Sequence, residues 1–155
     1  DDIVALVEEA GIFQVMPAYP HLSLWPESVD TLFGSPNALP QFTQDWDKRR
    51  LSLGSNGTSF ERRTLPLGAV YLLGSRTPGA TAGVEGTRLQ SAHLSLLINT
   101  YGSNILTSEL RAAEFALIGR LVAKIPIRQL VRNDDISQLS GLCRLICNDF
   151  DTLVQ

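Results

Sequence analysis

The apolar residues change their spacing midway along the chain, and this change most limits the folds open to it. In the first half, short apolar runs are separated by Gly and Pro; Ile3 to Leu6 and Ile12 to Met16 are two such runs, and they predict a hairpin. From Thr87 onward, apolar residues recur at intervals of three and four, which is typical of amphipathic helices. The sequence therefore predicts a mixed α/β chain, with strands early and helices late.

Three further segments of the first half have clear signals. Residues 21–25 alternate polar and apolar side chains, which predicts a half-buried strand. Pro26 and Glu27 favour a helix start, and Gly34 its end. Residues 67–73 are nearly all apolar, so we expect them to form a central strand of a sheet.

The second half predicts three helices and one strand. Thr87 and Gln90 fit a capping box that starts the first helix, and Pro126 stops the second. A strand is expected over residues 127–132. The residues expected to face inward are Leu89, Ala92, Leu96 and Leu97 in the first helix, Leu106, Leu110, Ala113, Leu117 and Leu121 in the second, and Leu139, Leu142, Cys143, Ile146, Phe150 and Leu153 in the third.

Length and charge exclude several classes of protein. The 155 residues suit one domain, and no apolar run approaches the roughly 20 residues that a membrane span needs. The 13 basic and 16 acidic residues argue against a dedicated nucleic-acid binder. Because the chain opens on Asp1 and Asp2 without a Met, we expect it to be a piece of a longer protein.

Residues 74–81 have two glycines spaced as in a phosphate-binding P-loop. Ala80, however, stands where the lysine that meets the phosphates is required. The helix signal begins only at Thr87, whereas a P-loop runs directly into a helix. We therefore interpret the segment as a glycine-rich surface loop.

Other polar groups leave alternatives open. Asp1 and Asp2 could hold Mg²⁺ or form an exposed acidic terminus. The basic residues 48–50 and 62–63 could contact phosphate oxygens or form a solvated face. His93 is expected at the edge of the core with a hydrogen bond, and the only two cysteines, Cys143 and Cys147, are expected to be reduced and buried.

The order of the motifs resembles a known family. The acidic pair is followed by Pro-Ala-Tyr-Pro-His-Leu-Ser-Leu-Trp-Pro-Glu-Ser at residues 17–28, by Asp-Lys-Arg at 47–49 and by Leu-Pro-Leu-Gly-Ala-Val-Tyr-Leu-Leu at 65–73. Ile-Pro-Ile at 125–127 precedes the last helix. This series resembles the C-terminal part of the HPr-kinase-like bacterial serine kinases, from Asp1 to about Leu145.

The resemblance implies a fold and a chemistry. The fold would be a P-loop α/β domain similar to phosphoenolpyruvate carboxykinase, lacking its N-terminal Walker A portion, with residues 1–155 as the C-terminal part of a single domain. One of Asp1 and Asp2 would assist the attacking hydroxyl, and the other would help to hold Mg²⁺. Lys48 is implied as a phosphate or substrate contact, and His21 as a residue bordering the site.

Two hypotheses about function follow. In the first, the chain is a fragment of a cytoplasmic ATP- and Mg²⁺-dependent serine kinase acting on a protein or peptide, and is inactive alone. In the second, it is a non-catalytic module that binds a peptide or partner on the same scaffold. A third possibility is that the chain is a clipped protein without the first strand of its sheet; the uncovered sheet edge then predicts self-association, or pairing with the missing N-terminal portion.

Overall fold

The computed structural model describes residues 3–54, 57–102 and 105–154. The chain divides into two compact units, the first extending to Pro66 and the second beginning at Leu67. Strands dominate the first unit and the long helices lie in the second, so the predicted mixed α/β class is confirmed.

A small antiparallel sheet begins the first unit. It contains β1 (Ala5–Glu9), β2 (Ile12–Met16) and the short β6 (Leu65–Pro66), with β2 in the middle. Ala10 and Gly11 connect β1 to β2 with φ angles of 50° and 78°, as a tight hairpin turn requires. The predicted hairpin is confirmed, with its first strand shifted toward the glutamates.

The second sheet of this unit consists of β3 (His21–Leu24), β4 (Gln41–Thr43) and β5 (Trp46–Ser52), with β5 central. Helix α1 (Pro26–Phe33) follows β3 and buries Val29 completely. Gly34 ends the helix at φ 77°, and its N–H donates to the Asp30 carbonyl at 2.7 Å. The predicted strand and helix are both confirmed.

A three-stranded sheet organises the second unit. Its strands are β7 (Val70–Arg76), β8 (Gly83–Gly86) and β9 (Ile127–Arg132); β9 lies in the middle, parallel to β7 and antiparallel to β8. The prediction that β7 is central is therefore wrong. An apolar run identifies a strand but not its place in a sheet, and Leu73 is 65% exposed. The expected loop after residue 73 also contains the end of β7 and all of β8.

Three helices complete this unit: α2 (Leu89–Ile98), α3 (Ser108–Lys124) and α4 (Leu139–Leu153), with a short 3-10 helix (Ile136–Gln138) before α4. Thr107 caps α3, because its hydroxyl accepts a hydrogen bond from the Leu110 N–H at 3.4 Å. The cap predicted for α2 is wrong: Arg88 is the N-cap residue and makes no side-chain cap bond. Thr87 instead donates its N–H to the Ile127 carbonyl at 3.2 Å, which holds it in the sheet.

The helical core is narrower than the apolar periodicity predicts. Ala92 of α2 and Leu121 of α3 are buried as expected. Leu89 and Leu110 are more than half exposed, so their predicted inward orientation is wrong. Helix α2 has apolar residues on nearly every side, so its sequence alone does not define which face packs.

Candidate functional site

The residues proposed from the sequence fall in different parts of the structure. Asp1 and Asp2 lie outside the described residues. His21 begins β3 and Lys48 lies within β5, the central strand of the same sheet. The fold therefore brings the two proposed substrate contacts to one sheet of the first unit.

A continuous row of aromatic rings crosses this sheet. The Tyr19 ring stacks on the His21 ring with centroids 5.6 Å apart, and His21 lies 5.4 Å from Phe42. Phe42 meets Trp46 edge to face at 6.0 Å. Of these rings, only His21 is a site residue expected from the sequence.

Lys48 extends this row. Its ammonium lies 4.8 Å from the Trp46 ring centroid and 5.4 Å from that of Trp25, within the range of a cation–π interaction. Trp25 is the N-cap residue of α1. We call this surface the aromatic face; its members are Tyr19, His21, Trp25, Phe42, Trp46 and Lys48.

The aromatic face is open to solvent. Tyr19 is 72% exposed, Trp25 51% and Trp46 43%. Exposed rings of Tyr and Trp beside a cation are the groups enriched at the energetic centres of protein interfaces. A signal for this surface is present in the sequence, since both tryptophans of the chain lie within the stretch that separates His21 from Lys48.

The three basic residues at 48–50 have different surroundings. Arg49 is a structural residue, because it donates to the Pro36 carbonyl at 3.1 Å and to the Asn37 side-chain oxygen at 3.2 Å. Arg50 is exposed and lies opposite Ser23 in the neighbouring strand. It is two residues from Lys48, so both side chains lie on the same side of β5. The cationic part of this surface therefore comes from Lys48 and Arg50.

The second basic cluster makes a local contact. Arg63 forms an ion pair with Glu61 at 2.9 Å on the surface of the first unit. The hydrogen bonds from the Arg63 side chain and backbone lower the pKa of Glu61 to about 2. This local pairing leaves Arg63 less able to serve a ligand.

The P-loop-like segment does not cradle a phosphate. Residues 74–76 belong to β7, and a turn follows in which the Ala80 N–H donates to the Thr77 carbonyl at 3.1 Å. Gly79 adopts φ 71° in this turn, and the chain then enters β8 and not a helix. The rejection of a P-loop at this position is therefore consistent with the structure.

A small cleft of about 130 Å³ lies at the carboxyl ends of β7 and β9, where sequence analysis predicted no site. Arg76 and Arg132, the last residues of the two strands, line it. Arg132 donates its Nε to the Gly74 carbonyl at 2.8 Å, and Asn133 donates to the Ala80 carbonyl at 2.9 Å. Two polar side chains of the cleft are thus bonded to the end of β7 and to the turn that precedes β8.

Asp149 of α4 is bonded to the sheet of the second unit. It accepts hydrogen bonds from the Tyr71 hydroxyl at 2.9 Å and from Arg128 Nε at 3.0 Å, and it forms an ion pair with the Arg128 guanidinium. The hydrogen bond from Arg128 lowers the pKa of Asp149, and burial followed by the bond to Asp149 raises the pKa of Tyr71 to about 12. These contacts are structural and join α4 to β7 and β9.

The predictions about His93 and the two cysteines are confirmed only in part. His93 is half-buried at the edge of the core, as expected, and packs against Phe115 with ring centroids 4.4 Å apart; its buried Nε2 has no hydrogen-bond partner among the described residues. Cys143 and Cys147 are free thiols, as expected, yet both are exposed and not buried. The apolar periodicity of α4 places Cys143 on its inner stripe, whereas the packing of the helix leaves it at the surface.

Two features are absent from residues 3–54, 57–102 and 105–154: a cluster of potential metal ligands and a helix able to cross a membrane. No group of three or more His, Cys, Asp or Glu side chains in these ranges could hold a metal ion. None of the helices there combines the length and apolar character needed to cross a membrane. Comparison of the chain with protein-family models, curated proteins and solved structures found no match.

Proposed function

We propose that this chain is part of an ATP- and Mg²⁺-dependent serine kinase related to HPr kinase, which phosphorylates a serine hydroxyl on a protein or peptide. The motif order from Asp1 to about Leu145 supports the family assignment. The observation that carries the proposal is the placement of His21 and Lys48 on the aromatic face of one sheet, since the resemblance implies both residues as parts of the substrate site. As a bacterial kinase it would act in the cytoplasm.

The proposal gives the acidic pair the chemistry of the transfer. Mg²⁺ would neutralise charge on the transferred phosphoryl group of ATP. The proposal assigns Mg²⁺ and the activation of the hydroxyl to Asp1 and Asp2, because the family resemblance implies these roles for the acidic pair. The phosphate cradle would come from a P-loop encoded upstream of Asp1.

A phosphotransfer assay on the full-length protein tests this proposal. We expect Asp1→Asn and Asp2→Asn each to lower the rate by at least about 100-fold, the scale typical of losing a positioned acid–base group. Asp151→Asn is the matched control, because Asp151 is an exposed carboxylate on α4. An undiminished rate in both test variants would remove the roles proposed for the pair.

The second candidate is a binding module without catalysis. It is favoured by the aromatic face itself, whose exposed rings and lysine can recognise a partner without a nucleotide. The coding sequence upstream of Asp1 separates the two candidates. A Gly-x-x-x-x-Gly-Lys-[Ser/Thr] motif after an apolar strand would support the kinase, and its absence would favour the binding module.

A further inference from the structure

We infer that the aromatic face binds an extended, acidic peptide segment that contains proline or other apolar side chains. This inference names the substrate class of the proposed kinase, and it rests on the proposed function for the fate of the bound peptide.

The row of rings provides an apolar surface for an extended peptide. Tyr19, His21 and Phe42 form a continuous row with centroid spacings of 5.6 and 5.4 Å. Extended proline-rich peptides dock on aromatic-lined surfaces because their stiff backbones lose little entropy on binding. A row of rings along the sheet therefore suits an extended chain better than a compact small molecule.

The positive charges of Lys48 and Arg50 favour acidic side chains in that peptide. Lys48 and Arg50 lie on the same side of β5, and the β3 residues on that side are His21 and Ser23. No residue of β3 or β5 on this side carries a carboxylate. Contact with Trp25 and Trp46 restrains the Lys48 ammonium, so part of its ordering cost is met before binding. This charge pattern is complementary to Glu or Asp side chains.

The excess of acidic residues in the first unit disfavours a nucleic acid as the ligand. Residues 1–66 carry nine acidic side chains (Asp1, Asp2, Glu8, Glu9, Glu27, Asp30, Asp45, Asp47 and Glu61) and five basic ones (Lys48, Arg49, Arg50, Arg62 and Arg63). A polyphosphate extends across many such charges and is repelled by the excess. A short acidic peptide responds mainly to charges within about 8 Å, the screening length at physiological salt.

Intrinsic fluorescence provides a direct test with the 155-residue chain. Both tryptophans of the chain belong to the aromatic face, so their emission reports on this surface. A short Glu-Pro repeat peptide is titrated, with a Lys-Pro repeat of equal length and oligothymidylate as competing probes. We expect a saturable change with the Glu-Pro peptide only, weakened by added salt.

Variants assign the binding to named residues. Lys48→Ala and Tyr19→Ser should each weaken binding by about tenfold, as expected for residues at the centre of an interface. Arg62→Ala is the control, because Arg62 is an exposed cation outside the aromatic face, and binding should be unchanged. Circular dichroism checks that each variant is folded. Because the Tyr19 ring is largely exposed, we expect Tyr19→Ser to disturb the fold less than Lys48→Ala.

The outcomes separate this inference from the proposed function. No binding of the Glu-Pro peptide, equal binding of the Lys-Pro peptide, preferential binding of oligothymidylate, or full affinity in both variants would each overturn the inference. Peptide binding without phosphotransfer by the full-length protein would retain the inference and remove the kinase. If Lys48→Ala and Tyr19→Ser leave phosphotransfer unchanged, the kinase is retained and the inference about peptide binding is removed.

Discussion

Asp149 joins α4 to two strands through Tyr71 and Arg128. The side chains of the ion pair are 12% exposed for Asp149 and 24% for Arg128, so water screens the pair only in part. Removing one member of such a pair leaves the other charge poorly compensated, which costs more than the pair itself contributes. The contact therefore concentrates stability of the second unit on one carboxylate.

Asp149→Asn should lower the free energy of unfolding of the second unit by about 2 kcal/mol, because the amide keeps an acceptor but loses the charge. Urea unfolding followed by far-ultraviolet circular dichroism measures this, since the longest helices lie in that unit. Asp151→Asn, an exposed carboxylate on the same helix, should change stability by less than about 0.5 kcal/mol. Equal effects of the two variants would mean that the Arg128 contact does not matter.

The raised pKa of Tyr71 predicts that the folded chain loses stability at alkaline pH. Its pKa is raised to about 12 when folded, above the ordinary value of about 10, so the folded chain holds this proton more tightly. The corresponding stability is complete below about pH 10 and is lost as the pH rises toward 12. Tyr71→Phe removes this titration, so its stability relative to the parent should improve over that interval. A constant difference between the two proteins would contradict the assignment.

At the scale of elements, Gly74 controls how closely β7 approaches β9. A Cβ at this position would lie 2.6 Å from the Leu130 carbonyl oxygen and 2.9 Å from the Gln129 side-chain nitrogen. The first neighbour is backbone and cannot rotate away. Gly74 therefore fits a requirement of close strand packing, although its spacing suggests a phosphate loop.

Gly74→Ala should destabilise the second unit by about 2 kcal/mol, through forced displacement of the strand pair. Gly83→Ala is the matched control in the same sheet, because a Cβ there meets nothing within 4 Å and its φ is ordinary. The control should be neutral or slightly stabilising, as expected when a strand glycine is replaced. Thermal unfolding of both variants measures the difference, and a tolerated Gly74→Ala would exclude the tight approach.

At the scale of the whole molecule, β7 has an edge open to pairing. Among the described residues β7 pairs only with β9, and Leu73 is largely exposed. Unpaired apolar edges promote association, which is the basis for expecting self-association.

We expect the 155-residue chain to self-associate as its concentration rises, and Leu73→Lys to reduce this association because lysine blunts strand edges. Sedimentation over a range of concentrations measures both. Leu32→Lys, which replaces an exposed leucine on α1, is the control and should leave association unchanged. A parent chain that stays monomeric at the highest concentration would contradict the proposal.

The sequence by itself determined the local elements of this protein. Residue preferences within a few positions predict the helix α1 (Pro26–Phe33), the strand that contains His21 and the strand over residues 127–132, and all three are present. The rejection of a P-loop at Ala80 likewise needed only local chemistry.

The tertiary structure alone decided the arrangements between distant segments. It placed β9 and not β7 at the centre of its sheet, exposed Cys143 and Leu89, and assembled the aromatic face. The joining of Tyr71 to Asp149 likewise comes from folding. These outcomes depend on packing between residues far apart in the chain, and apolar spacing records that a side chain prefers burial without recording which neighbour buries it.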